Sequence, residues 1–376
     1  MMGEGLLLYI QTKIKKEYKT AFVSAFLITL FIHLYKFTNT LPNQDAFYNY
    51  YSDQNVLGSG RWALTFACGI SSYFDLPWVI GLISCVFIAL TASVIVAIFQ
   101  LRNPVLTTLV GALLAASPAT TETFFFLFTA DGYMIAMFLS AVAVYFSRID
   151  EKRVLRWFLS GICICISCGI YQAYVSFALL LSVCYFIDIL FLNKFDVRDC
   201  LWWVVRQAII YIASLLAYYA IWKLLMAMSG VGANNYQGIS NIGEIHAGLI
   251  VNGLIAPIKF ALLYFLQWNV FVNGFTVYSA LNAIFFALMG IGLLIAAISS
   301  GILKRKWAMG LLALCLIAIV PFACIWCFIS GDIWYRPMML QCFTLLFVLV
   351  AVLYERWGSA LTKNIFVSVK PIGGLW

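Results

Sequence analysis

Reading the chain for apolar runs bounded by charges gives ten segments that could cross a membrane: 21–37, 77–100, 105–117, 131–147, 156–170, 173–191, 202–226, 277–300, 307–329 and 338–356. A helix rises about 1.5 Å per residue, so a hydrocarbon layer of roughly 30 Å takes about 20 apolar residues, fewer where a helix end is buried in protein. Segments 105–117 and 156–170 fall short of that length. Lipid offers no partner for backbone N–H and C=O groups, so each run must close its hydrogen bonds internally, and the pattern predicts helices.

Two stretches break the apolar rhythm. "PNQDAFYNYYSDQNVLGSGRW" (42–62) is polar and aromatic, directly after the first run. It lies within a predicted first external loop, 38–76, that carries short interfacial helices. The second stretch, 227–276, starts turn-rich as "SGVGANNYQG" and then becomes apolar. Making "LIVNGLIAPIKFALLYFLQW" a full span would place the following "KRK" outside, so one or two interfacial helices with Trp and Tyr at headgroup depth are expected there. No internal repeat, no low-complexity segment, no soluble domain and no repeated pair of broken spans stands out. The chain reads as one integral-membrane domain, 1–376, with a lead-in at 1–20 and a tail at 357–376. The fold class expected is all-α, a polytopic transmembrane bundle of about ten spans.

Composition agrees: 64% of the residues are hydrophobic and 10% charged, against about 25% charged in a soluble domain. The charges then orient the spans. "KIKKEYK", "LRN", "RIDEKRVLR", "NKFDVR", "KRK" and "ERW" occupy alternate turns, and of 23 Lys and Arg all but Lys36, Arg61, Lys223, Lys259 and Arg336 fall on that side. The positive-inside rule makes that side cytoplasmic, with both termini on it. The net charge of +8 is thereby a topology signal, spread over short loops, and no nucleic-acid partner is expected. No cleavable signal is evident, because no small-residue cleavage site follows the first run.

Composition also excludes chemistry. The 11 cysteines fall mostly inside apolar runs, and "CICISC" and "CIWC" without nearby histidine read as packing residues. With only His33 and His246 in the chain, a zinc hydrolase or a Ser-His pair has no basis. No phosphate-binding loop occurs.

What remains is the opposite face. Asp45, Asp53, Asp75, Glu122, Asp131, Glu244 and Asp332 map to external loops or outer span ends, beside Arg61 and Arg336. Carboxylates contribute little to orientation, so topogenesis does not require them there. A carboxylate beside lipid gains proton affinity and can take a proton from a hydroxyl. An arginine can hold a departing phosphate through two parallel hydrogen bonds. An enzyme that moves a sugar off a lipid phosphate needs both. Asp45 and Asp53 are the candidate bases, and Arg61 and Arg336 the candidate phosphate contacts. Each has a structural alternative: a helix N-cap or turn for Asp45, Asp53 and Asp131, and an anchor for Trp62 in the case of Arg61. Tyr171 and Gln172 of "GIYQAYV" are either helix-to-helix glue or substrate contacts. "SGDIWYRPM" adds Asp332 and Arg336 at the last outer turn.

The order "NQD" after the first span, "GSGRW" closing the loop, "FTADGYM" opening a later span, then "GIYQAYV", resembles the Gtr type II glucosyltransferases, the phage-type serotype-converting enzymes of bacterial O-antigen. The motifs run from about 20 to 200, and hydropathy carries the likeness further. That family is similar to the GT-C membrane glycosyltransferases, which use a polyprenyl-phosphate sugar and keep an acidic catalytic residue in the first outer loop. The resemblance therefore implies a GT-C-like bundle, with Asp45 as base and Asp53 second, and with Arg61, Trp62, Asp131, Tyr171, Gln172, Asp332 and Arg336 as substrate contacts. It also implies undecaprenyl-phosphate glucose as donor, a periplasmic polysaccharide as acceptor, and a donor flippase and a donor synthase as functional partners. The setting would be a bacterial inner membrane, with the site facing the periplasm. No cofactor is implied, and a divalent metal stays open. Family members usually continue further, whereas "KNIFVSVKPIGGLW" ends this chain soon after 356. An O-antigen polymerase or ligase, a lipid-linked-sugar flippase or transporter, and a non-catalytic scaffold are the rival readings.

Overall fold

The computed structural model describes residues 14–234, 247–266, 276–328 and 333–368. Fourteen α-helices order the described chain: α1 Lys16–Thr38, α2 Gln44–Asn49, α3 Leu64–Tyr73, α4 Pro77–Phe99, α5 Pro104–Ala116, α6 Pro118–Phe125, α7 Ala130–Phe146, α8 Val154–Ile170, α9 Tyr174–Leu192, α10 Val197–Ser229, α11 Ala247–Leu266, α12 Val277–Ser299, α13 Lys306–Ala323 and α14 Thr344–Ser368. No strand occurs among the described residues, where Val56 and Arg61 form an isolated antiparallel bridge. Among the described residues, nine helical stretches are long and apolar enough to cross a membrane. The 17-residue α8 is a tenth helix on the predicted pattern, shorter but apolar. The protein is an all-α polytopic bundle.

Local chemistry sets the starts and stops. Proline takes the first helical position of α4, α5 and α6, where its missing N–H costs nothing. Asn103, Ser117, Asp196 and Thr276 accept backbone N–H groups as N-caps of α5, α6, α10 and α12. Gln100, Asn193 and Gly230 close α4, α9 and α10 in the left-handed conformation.

At the basic end, arginines cover the carbonyls that the helix C-termini leave over. Arg206 of α10 donates to Ser147 O at 2.9 Å, Arg148 O at 2.7 Å and Glu151 O at 2.9 Å, just past the end of α7. Trp203 and Gln207 donate to the same Ser147 carbonyl. Arg305 donates to Leu190 O near the end of α9, and Arg356 to Phe99 O, the last residue of α4. Arg356 also pairs with Asp188 at 3.2 Å, whose side chain is 2% exposed. Each guanidinium meets the negative end of a helix dipole while supplying the charge that orients the chain. In the turn between α7 and α8, Glu151 accepts the Arg153 backbone N–H and pairs with Arg156, which holds its carboxyl below the usual range.

Helix α9 is the centre, buried on nearly every face. Around it α1 packs on α4 and α5, α4 on α7, α7 on α8, α8 on α10, and α12 on α14. One feature departs from the sequence reading. Two spans are broken: α5 stops at Ser117 before α6, and the last span starts as a 3-10 turn, Pro337–Phe343, before α14. The breaks meet, with Thr344 donating to Ser117, and Thr120 and Gln341 hydrogen-bonded to each other. His33 of α1 bonds the Ala115 carbonyl that the break exposes. Pro118 and Pro337 stand at the two breaks, but the groups that satisfy them come from distant parts of the chain, so their pairing is not written in either local sequence.

In 227–276, where one or two interfacial helices are expected, the described residues past the end of α10 hold one 20-residue helix, α11. Its last carbonyls, of Phe265 and Leu266, accept hydrogen bonds from Asn282 and Ser279 of α12. Its Phe260 meets Trp334 and Tyr335.

Candidate active site

At the end opposite the arginine caps, a cavity of about 260 Å³ is lined by Asp45, Asn49, Ser59, Arg61, Tyr133, Tyr171 and Arg336, among others. At roughly 30 Å³ per water, it has room for about eight or nine waters, the scale of one small polar group and not of a long hydrocarbon. Two guanidinium groups and one carboxylate give the lining a positive balance.

Asp45 sits in the first turn of α2. Asn43 is the N-cap, its side chain accepting Ala46 N–H at 2.7 Å, so the capping alternative raised for Asp45 belongs to its neighbour. Asp45 is 53% exposed and stands 3.9 Å from Arg336. Arg336 lies over the Phe126 ring, 5.2 Å from its centroid. Glu122 accepts the Met338 backbone N–H and is close enough to Arg336 to feel its charge, which fixes the segment that presents Arg336.

Arg61 enters from the other side. It donates to Tyr133 Oη at 3.1 Å and lies 4.7 Å from the centroid of Tyr171. Tyr133 and Tyr171 are themselves stacked, centroids 4.2 Å apart with 9° between planes. The guanidinium therefore rests on an aromatic pair drawn from α7 and the end of α8, a contact worth about 0.5–2 kcal/mol as desolvation increases.

The loop that carries Arg61 is held by its main chain. Three successive carbonyls accept donors from three places: Leu57 O from Trp222 Nε1 at 2.8 Å, Gly58 O from Asn234 N at 2.8 Å, and Ser59 O from Gln172 Nε2 at 2.6 Å. Gly60 then turns the chain with φ +77, and a Cβ there would lie 2.3 Å from Tyr218 Oη. "GSGRW" is thus a conformational requirement that aims Arg61 and Trp62.

The expected site residues divide into two groups. Asp45, Arg61, Tyr171 and Arg336 come together on the cavity. Asp53 is exposed, outside the lining, and accepts Asn55 N–H in a local turn. Asp131 is buried against α3, bonded by Ser71 and accepting Gly132 N–H. Gln172 spends its amide N–H groups on Ser59 O and Tyr218 Oη, as helix-to-loop glue. Trp62 turns away, its ring against Gly169 of α8, where a Cβ would come within 2.5 Å. Asp332 and Glu244 lie outside the described residues. Asp75 stands apart on the turn between α3 and α4, and burial raises its carboxyl above the ordinary value.

Sequence reasoning missed Tyr133, Asn49 and Ser59. Tyr133 lies two residues after Asp131 in "TADGYM", and a phenol at the start of an apolar run was the available signal. Among the described residues no three His, Cys, Asp or Glu side chains gather as a metal site would need.

Residues 34–354 match the family described as Glucosyl transferase GtrII, and the chain belongs to that family. The match extends well beyond the motifs between 20 and 200. Neither a curated protein nor a solved structure matches.

Proposed function

We propose that this GtrII glucosyltransferase takes glucose, or another hexose, from a polyprenyl-phosphate donor and transfers it to an O-antigen or related cell-surface polysaccharide on the periplasmic side of a bacterial inner membrane. Membership of the family makes it a glucosyltransferase. The observation that carries the finer reading is the meeting of Asp45, Arg61 and Arg336 on one cavity at the end away from the basic turns. With those turns in the cytoplasm, the cavity opens outside, where a lipid-linked donor and a growing polysaccharide meet.

In this reading Asp45 accepts the proton of an acceptor hydroxyl as its oxygen attacks C1 of the donor sugar. The bond between C1 and the phosphate oxygen breaks, and polyprenyl phosphate leaves with the electron pair. Arg61 and Arg336 hold the charge that builds on the leaving phosphate, the interaction that strengthens most in the transition state. Arg61, backed by Tyr133 and Tyr171, needs little reorganisation. The exposed rings of Phe47, Tyr48 and Tyr51 on the same loop offer faces for sugars of the acceptor. A donor synthase and a donor flippase would have to supply the substrate.

Purified protein with radiolabelled polyprenyl-phosphate glucose and lipid-linked polysaccharide tests this. Labelled polysaccharide is expected. Donor moved across a liposome membrane with no transfer would instead make the protein a flippase, and acceptor units joined without glucose a polymerase.

A further inference from the structure

A second space, with a volume of about 650 Å³, lies between α8 and α10. Its lining is apolar along almost its whole course. The Ser214 hydroxyl on it is turned to the Ile210 carbonyl at 2.6 Å, and Arg206 closes its basic end with its guanidinium bonded to carbonyls. The lining spans residues 154–166 of α8 and 202–221 of α10, a length of roughly 18–28 Å at the helical rise. The groove exists because Gly161, Ala213 and Ala217 are small, while Phe158 and Ile209 stand at its edges, 65% and 57% exposed. In a membrane protein those exposed faces meet lipid, so the groove is open from the bilayer.

Its cavity end is Trp62. The residue before it, Arg61, lies on the polar cavity, and the Trp62 ring lies against Gly169 and on the groove. One dipeptide therefore borders a positively charged polar chamber on one side and a long apolar trough on the other. A molecule with an anionic head and a hydrocarbon tail fits that juxtaposition, whereas a water-soluble sugar nucleotide would use only the first half.

We propose that the α8–α10 groove holds the phosphate-proximal part of the donor's hydrocarbon chain, with Trp62 marking where chain gives way to head. The proposal rests on the polyprenyl-phosphate donor argued above. Its volume holds only part of a long chain, so the contact selects for the presence of the first isoprene units and leaves the remainder in the bilayer.

The test uses full-length protein in nanodiscs. Ala213→Trp and Ala217→Phe fill the groove from positions already exposed, and Ile212→Trp, on another face of α10 and 59% exposed, is the control. Filling the groove is expected to raise KM for a long-chain donor about tenfold, as for a tail that loses a few buried methylenes, and to leave a donor with a very short chain unaffected. Equal effects on both donors, or none, would overturn the proposal. A photoreactive polyprenyl phosphate without sugar gives a readout independent of transfer. Labelling of groove peptides that excess polyprenyl phosphate competes, and phospholipid does not, supports the proposal. Labelling that phospholipid competes equally makes the groove a site for bulk lipid and overturns it. Absent labelling with a closed, dimeric protein assigns the face to a second copy. If no polyprenyl donor supports transfer while the competed labelling persists, the donor reading fails and the groove stands.

Discussion

Asp45 and Asp53 sit eight residues apart in one loop with the same chemistry, and their surroundings separate them. Asn43 does the capping, which leaves Asp45 facing Arg336 across the cavity, while Asp53 closes a local turn outside it. Asp45→Asn is expected to lower transfer by about 100-fold or more, the scale of a lost general base, with unchanged yield of folded protein. Asp53→Asn should stay within about twofold. Steady-state rates with saturating donor decide; full activity in Asp45→Asn removes it from the mechanism. Gly60 makes a second prediction. Gly60→Ala adds a Cβ at φ +77 and 2.3 Å from Tyr218 Oη, so it should cost more than the roughly 1–2 kcal/mol of the backbone conformation alone and displace Arg61. A rise in donor KM with a lowered unfolding temperature is the expected pair of readings. At this scale the sequence marked Asp45, Arg61, Tyr171 and Arg336, because charges and aromatics away from the basic turns have few structural duties there. It could not separate them from Asp131 and Gln172, since a polar group spent on Ser71 or on Ser59 looks the same in a sequence as one facing substrate.

The ten apolar runs overlap ten helical stretches, because hydrophobic length is a property of the run itself. Breaks are not. The gap at Ser117 is stable because Thr344, Gln341 and His33 arrive from elsewhere to satisfy it, and the groove between α8 and α10 depends on which faces of two helices meet. The arginine caps belong to this scale too. Arg356 joins the end of α4 to Asp188 of α9, so Arg356→Met leaves a buried carboxylate without its partner. We expect a loss of about 3–5 kcal/mol, most of it recovered in Arg356→Met/Asp188→Leu, because the penalty comes from the stranded charge. Thermal unfolding in detergent of the single and double variants checks the recovery.

For the whole molecule, charge and architecture agree: the arginines that cap helices lie at the end opposite the cavity. Orientation is then directly measurable. Tyr48→Cys, at a position 82% exposed on α2, should react with a membrane-impermeant thiol reagent added outside intact cells. Lys152→Cys, in the turn between α7 and α8, should react only after permeabilisation. The reverse pattern would place the cavity in the cytoplasm and end the periplasmic reading.

The grip on the Leu57, Gly58 and Ser59 carbonyls has a consequence for how such a protein can diversify. Trp222, Asn234 and Gln172 hold atoms that every amino acid possesses. These anchors do not depend on the side chains at 57 and 59, and Ser59, though buried, lines the cavity. A change of side chain at Ser59 can therefore alter the cavity wall while the backbone that aims Arg61, two residues away, keeps its three anchors. Such a position is where members of a glucosyltransferase family can change what the cavity accepts without rebuilding the loop.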